Sequence, residues 1–152
     1  MKKALQALQD HGQCVWLEDL SRGLMISGEL KHLIEEVGLR GLTSNPATFE
    51  RAIAGSPDYR DWLEAPETQG IEAKTLYERL AVRDVQEAAD LFDPLYRESM
   101  RRDGYVSLEV SPELAHSSQG TLDEARHLWG LVARPNLMIK IPGTPEALPA
   151  IQ

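Results

Sequence analysis

Four short runs constrain this chain more than anything else in it: Cys14–Glu18, Leu39–Thr43, Tyr105–Val110 and Asn136–Pro142. Three of them alternate their side chains between two faces with the two-residue period of a β-strand, Leu39–Thr43 reads as a further short strand, and helical patterning separates each run from the next. Strands spaced in this way cannot close as tight hairpins. They are joined by right-handed crossovers and lie parallel, so the expected fold is a parallel α/β sheet, either doubly wound or barrel-like.

The helices are read from their apolar spacing. Residues 1–12 form a leading helix with Leu5 and Leu8 on one side. Ser27 is the expected N-cap of a helix carrying Leu30, Leu33, Ile34 and Val37, with Gly38 closing it. Pro46 starts another helix running to Ala54. Residues 55–102 read as a helical insertion between the second and third strands, with a short piece at Asp58–Glu64 and a long one at Ile71–Met100. The long piece puts Glu78, Arg79, Arg83, Asp84, Glu87 and Arg97 on a solvated face and is expected to bend or break at Pro94. Thr121 with Glu124 reads as a capping box ahead of a stripe of Leu122, Ala125, Leu128, Trp129 and Val132. A last helix begins at Pro145 and runs to Gln152.

The fourth strand holds a lysine. Leu137, Ile139 and Ile141 share one face, and Met138 and Lys140 the other. An ammonium stripped of water without a partner is unstable, and the usual escape is a lowered pKa and a neutral amine. Lowering a lysine from about 10.4 to about 7 costs on the order of 4–5 kcal/mol, a penalty kept mostly where a nucleophilic amine is needed, as in Schiff-base chemistry. The plainer reading is a strand-end lysine that reaches solvent or pairs with a carboxylate.

Composition narrows the function. A net charge of -8 with scattered acids argues against a nucleic-acid surface. The apolar runs are too short to span a membrane and no leader opens the chain, so a cytoplasmic protein is expected. Cys14 has no partner for a disulfide, and His11, His32, His116 and His127 are scattered, so no metal site is expected. Glycine-rich phosphate fingerprints are absent from the first strand turn.

Polar residues recur where strands end: Glu18, Thr43 with Asn45, Glu109 and Lys140. In a barrel those ends converge on one face. Each has a plain alternative: Glu18 a solvated carboxylate, Asn45 a helix N-cap before Pro46, Glu109 the salt-bridge partner of Lys140. Together, two carboxylates, an amide and a lysine favour catalysis.

Thr43-Ser44-Asn45-Pro46, followed by Phe49-Glu50-Arg51-Ala52-Ile53, resembles the first signature of transaldolases. Leu137 to Glu146, with Lys140 at its centre, resembles the second, and Trp16 to Gly23 and Tyr105 to Pro112 also match. The resemblance covers nearly the whole chain and points to the bacterial branch that occurs alone or fused to glucose-6-phosphate isomerase. It implies a (β/α)₈ TIM barrel of the class I aldolase type, truncated here to about the first four βα units. It also implies transfer of a dihydroxyacetone unit between sugar phosphates in the pentose phosphate pathway, without cofactor: sedoheptulose 7-phosphate and glyceraldehyde 3-phosphate give erythrose 4-phosphate and fructose 6-phosphate. On that plan Lys140 is the Schiff-base residue, Glu109 shuttles protons through a water, Glu18 takes the proton of the breaking unit, Asn45 holds the donor sugar and Thr43 packs nearby.

Three residues depart from the family pattern. Glu18 stands where aspartate is usual, Ala147 where glycine is expected, and Thr48 where an aliphatic is usual. The extra methylene of Glu18 moves its carboxylate by about 1 Å, a displacement that can cost roughly 10²-fold in rate. A complete barrel needs at least about 200 residues, and the family's phosphate-holding serine and arginines lie on later strands. The chain therefore reads as residues 1–152 of a single domain, the N-terminal half of a barrel and inactive alone, which self-associates or pairs with a missing C-terminal half. The alternatives are a non-catalytic half-barrel assembly module and a fructose-6-phosphate-type aldolase; the long helical insertion argues against the latter.

Overall fold

The computed structural model describes residues 2–151. Met1 and Gln152, the ends of the expected first and last helices, lie outside the described residues. The helix α1 spans Lys2–Asp10, and Leu8 on it is largely exposed. The strands are β1 (Trp16–Leu17), β2 (Gly41–Thr43), β3 (Tyr105–Glu109) and β4 (Leu137–Lys140). They form one sheet in the order β1-β2-β3-β4, every pair parallel. All four elements are shorter than the sequence runs. Bonds such as Arg40 N–H to the Val15 carbonyl (2.9 Å) and Val110 N–H to the Lys140 carbonyl (3.1 Å) carry the ladder past their ends.

Alternation divides the sheet. Leu42, Val106, Leu108 and Leu137 face the helices and are almost fully buried, together with Val110 just past β3. The helix α6 (Ala73–Glu98) covers them with Leu80, Ala81, Val85, Ala88, Ala89 and Phe92, apolar residues three or four apart. Burial of each larger side chain contributes about 1.5–3 kcal/mol, which is what holds this layer together. Thr43, Ser107, Glu109, Met138 and Lys140 take the opposite face, where the register pairs Thr43 with Ser107, Ser107 with Met138, and Glu109 with Lys140.

The helices depart from expectation in instructive ways. An unforeseen helix, α2 (Arg22–Ile26), packs Leu24 and Met25 on the core and ends at Ser27, so Ser27 closes one helix instead of opening the next. Gly28, at φ 77°, takes the N-cap of α3 (Glu29–His32), a π-helical turn follows at Leu33–Val37, and Gly38 ends it at φ 96° as expected. Two further helices, α4 (Pro46–Gly55) and α5 (Arg60–Leu63), precede α6. The helix α6 runs without a break through Pro94, which is exposed and lies in its last turns. Asp84 is not on the solvated face: it is fully buried in the same row as Leu80 and Ala88.

The helix α7 (Ser118–Val132) is capped by Ser117, whose Oγ accepts from Gly120 N–H at 3.2 Å. Thr121 lies a turn inside, buried, and donates to the Leu114 carbonyl; Glu124 accepts the Ser111 N–H at 2.5 Å, so the expected capping box is not formed. Trp129, a step of 100° round from Leu128, is 51% exposed and lies off the buried stripe. The expected last helix is only a 3₁₀ turn at Leu148–Ile151, since Pro149 has no N–H to continue an α-helix. Among the described residues no helix is long and apolar enough to cross a membrane.

Candidate active site

The C-terminal ends of β2, β3 and β4 lie side by side, and the polar face of the sheet collects there. Because β3 and β4 pair Glu109 with Lys140 in register, their side chains meet: Nζ of Lys140 lies 3.0 Å from Oε2 of Glu109. The same ammonium donates to the Ser44 carbonyl at 2.9 Å. These two partners use two of its three donors and leave one for a ligand or water. The Lys140 side chain is 35% exposed, so the amine is not sealed in a dry strand. It rests as a half-open ion pair, the plainer of the two sequence readings.

Ser44 sets that carbonyl. Just past β2, its N–H and its Oγ both donate to the Ser107 carbonyl, at 3.1 and 2.9 Å. Both lone pairs of that oxygen are used, and the Ser44 carbonyl is held toward the lysine. Ser107 in turn donates through its hydroxyl to Thr43 Oγ1 at 2.7 Å, which ties β2 and β3 together beneath the site. Asn45, the next residue, caps α4: its Oδ1 accepts the Ala47 N–H at 3.1 Å while Pro46 occupies the first helical position. That commitment turns Nδ2 outward to Oε1 of Glu18, a long contact of 3.4 Å. Glu18, just past β1, is exposed.

The structure brings the five residues singled out in the sequence to neighbouring strand ends in two groups. Lys140 and Glu109 touch directly and Thr43 joins them through Ser107 and Ser44, while Glu18 touches Asn45, the residue that follows Ser44 in the chain. The profile of the family described as Transaldolase/Fructose-6-phosphate aldolase matches residues 15–152, which include all of them. The chain belongs to the transaldolase/fructose-6-phosphate aldolase family. It is 48% identical over 141 residues to a transaldolase of Thiobacillus denitrificans, covering 93% of this chain and 39% of that protein. It is 45% identical over 148 residues to transaldolase 2 of Nostoc punctiforme (97% and 39%), and 45% identical over 141 residues to a transaldolase of Neisseria gonorrhoeae (93% and 40%). This member of the transaldolase family therefore spans about two fifths of the length of the relatives it matches.

Residue-by-residue reading missed three side chains at this transaldolase-family site. Ser44 and Ser107 carry no charge to draw notice, although alternation put Ser107 on the face of Glu109. Tyr77 passed for an apolar residue of α6. It lines a cavity of about 600 Å³ behind the end of β3, with Glu50, Leu108, Glu109 and Pro112. Burial and the nearby carboxylates of Glu50 and Glu109 push its phenol up to about 12, so it stays neutral, and its ring meets Phe49 edge-on at 5.8 Å. Glu109 therefore borders both the lysine and this cavity, whereas Lys140 is not in the cavity lining. Among the described residues no group of three or more His, Cys, Asp or Glu could hold a metal ion.

Proposed function

We propose that this chain supplies the imine-forming part of a transaldolase that reversibly moves a dihydroxyacetone unit between sugar phosphates, and that its four strands are the first half of a (β/α)₈ barrel. The observation that supports the reading is the in-register pair of Lys140 and Glu109 beside the Ser44 carbonyl. Strand order, parallel direction and the share of each relative that is covered support the half-barrel. Residues 1–152 then act as one domain, with 1–12 as a leading helix and 55–102 as an insertion, in a cytoplasmic enzyme of carbohydrate metabolism.

Each group has a step it can perform. Glu109 takes a proton from the Nζ of Lys140, and the freed amine attacks the ketose carbonyl carbon to give a carbinolamine. Glu109, through a water, returns the proton to the departing hydroxyl, water leaves, and an iminium remains. The bond between the carbon beside the iminium and the one beyond it breaks, its electrons flow into the iminium to form an enamine, and Glu18 accepts the proton of the hydroxyl on the carbon released as an aldehyde. Asn45 hydrogen-bonds the donor sugar, and Thr43 packs below it. Reversal with a second aldehyde completes the transfer. The family's phosphate-holding residues belong to later strands, so the 152-residue chain forms the imine without turning over until the remainder is supplied.

The test is chemical trapping. The chain is incubated with fructose 6-phosphate and borohydride, and its intact mass and modified peptide are determined. An adduct on Lys140 that disappears in Lys140→Ala is the expected result. A folded chain without an adduct, when the same treatment labels a full-length relative, would sink the claim that these strands suffice to build the imine site.

A further inference from the structure

Behind the candidate site lies a second set of charges that the chemistry above does not use. Arg22, Asp84 and Tyr59 are 7%, 0% and 0% exposed. Arg22 Nε and Nη2 both donate to Oδ1 of Asp84, at 3.0 and 2.5 Å, and Tyr59 donates its hydroxyl to Oδ2 at 2.7 Å. The Tyr59 oxygen also accepts the Arg22 backbone N–H at 3.0 Å, and the guanidinium lies over the Tyr59 ring at 4.7 Å. Three separate elements meet in this network: the first residue of α2, the 3₁₀ turn Pro57–Tyr59 and the middle of α6. Gly23 permits the approach, because a Cβ there would fall 2.8 Å from the Asp58 carboxylate.

A buried ion pair is poor value as a stabiliser, since well-packed apolar residues in its place are often as stable or more so. What such a pair does supply is a fixed geometry, and the geometry here bears on one place. Arg22 follows Glu18 by four residues. Leu17, before Glu18, is held by its pairing with Leu42, and Leu20 within the link is 2% exposed. Anchoring Arg22 therefore pins the link at its far end, leaving Glu18 and Asp19 as its exposed residues.

We propose that Arg22, Asp84 and Tyr59 are positioning residues that lock the start of α2 and, through the Glu18–Ser21 link, hold the Glu18 carboxylate against Asn45. The lock ties the helical segment between β2 and β3 to the loop after β1. It gives that segment a role at the site without contact with the substrate. It also fits the longer reach of glutamate: an acid with an extra methylene needs its backbone set in place if the carboxylate is to stay beside Asn45. The functional weight of this inference rests on Glu18 acting as the acid/base proposed above.

The experiment needs no turnover, so its failure is separable from failure of the imine trapping. Asn45 Nδ2 faces Glu18, so its side-chain amide resonances report ionisation of that carboxylate. They are followed by heteronuclear NMR on the isotope-labelled chain from about pH 3 to about pH 7, across the carboxylate range. In the unaltered chain the amide is expected to shift with pH, and that shift is expected to vanish in Glu18→Gln. In Tyr59→Phe, and in the doubly substituted Arg22→Met, Asp84→Met chain, which keeps an apolar filling, the shift is expected to be lost while resonances of Ser107 and Lys140 stay in place. An unchanged Asn45 titration in whichever of the two variants is folded overturns the lock, since a purely structural network would leave it intact. Absence of any Glu18-dependent shift in the unaltered chain overturns it as well.

Discussion

The two charged clusters of this molecule use similar groups in opposite ways. In the cluster beneath the loop after β1, Asp84 accepts three donors, two from Arg22 and one from Tyr59, and no part of it reaches solvent. At the ends of β3 and β4, the side chains of Lys140 and Glu109 are 35% and 23% exposed and retain unused hydrogen-bonding capacity. A closed cluster has nothing left to offer a ligand and serves to fix geometry. An open one keeps a donor and an acceptor available, which is what proton transfer to a substrate requires. Burial, more than residue type, separates the closed pair from the open one.

The sharpest way to break this contrast is to remove one member of each pair. Asp84→Ala leaves a buried guanidinium without its counter-charge and is expected to cost about 3–5 kcal/mol. A urea unfolding curve should show this as a large fall in midpoint, whereas the apolar Arg22→Met, Asp84→Met chain should unfold near the unaltered one. Gly104→Ala comes next. Gly104 stands at φ 81°, and a Cβ there would lie 2.6 Å from the backbone nitrogen of Tyr96 and 2.9 Å from the Phe92 carbonyl oxygen. Backbone cannot swing aside as a side chain can, so a loss of about 2–3 kcal/mol is expected in the same curve, combining left-handed strain with displacement of α6 from β3. At the open cluster the outcome inverts. Glu109→Gln should change stability by no more than about 1 kcal/mol, because the pair is part-exposed, yet it should abolish borohydride trapping on Lys140. A large stability loss in Glu109→Gln with trapping intact would mean that the two clusters had been assigned the wrong way round.

Much of the open cluster is legible in the sequence. Alternation alone put Glu109 and Lys140 at strand ends on the polar face, and parallel pairing of adjacent strands then makes them neighbours. The closed cluster was not legible, and the reason lies in how charged residues are read. Asp84 sits among Arg83, Glu87 and other charges, and composition assigns such a stretch to solvent. Its position four residues after Leu80 and four before Ala88 places it on the buried row, so helical phase held the information that residue type concealed. Other misses share a cause: local patterns were outvoted by contacts distant in sequence. Glu124 was free to cap its own helix and instead accepts the Ser111 N–H. Asn136, 1% exposed, donates through its amide to the carbonyls of both Ala89 and Gly104, at 2.8 and 2.9 Å, and so links α6 to the sheet.

The smallest effect expected comes from a third pair, which tests the same rule at the exposed extreme. Arg134 grips Asp90 with two bonds, Nε to Oδ1 at 2.6 Å and Nη2 to Oδ2 at 2.9 Å. Those bonds hold the Asp90 carboxyl below its ordinary value, with the hydrogen bond from Arg134 as the largest cause. Because the folded-state pKa is the lower one, the pair contributes in full above the unfolded aspartate value of about 3.9 and loses its contribution as pH falls through the folded-state value. Asp90 is 56% exposed, so solvent screens the pair and its contribution should stay under about 1 kcal/mol. Arg134→Ala should therefore lower the unfolding midpoint slightly at neutral pH, with the two chains converging well below about pH 4. The same difference should shrink in high salt, whereas that of Asp84→Ala, shielded from ions by complete burial, should not. If salt weakened both alike, solvent would have access to the Arg22–Asp84 pair, and burial could not be what distinguishes the closed cluster from the open ones.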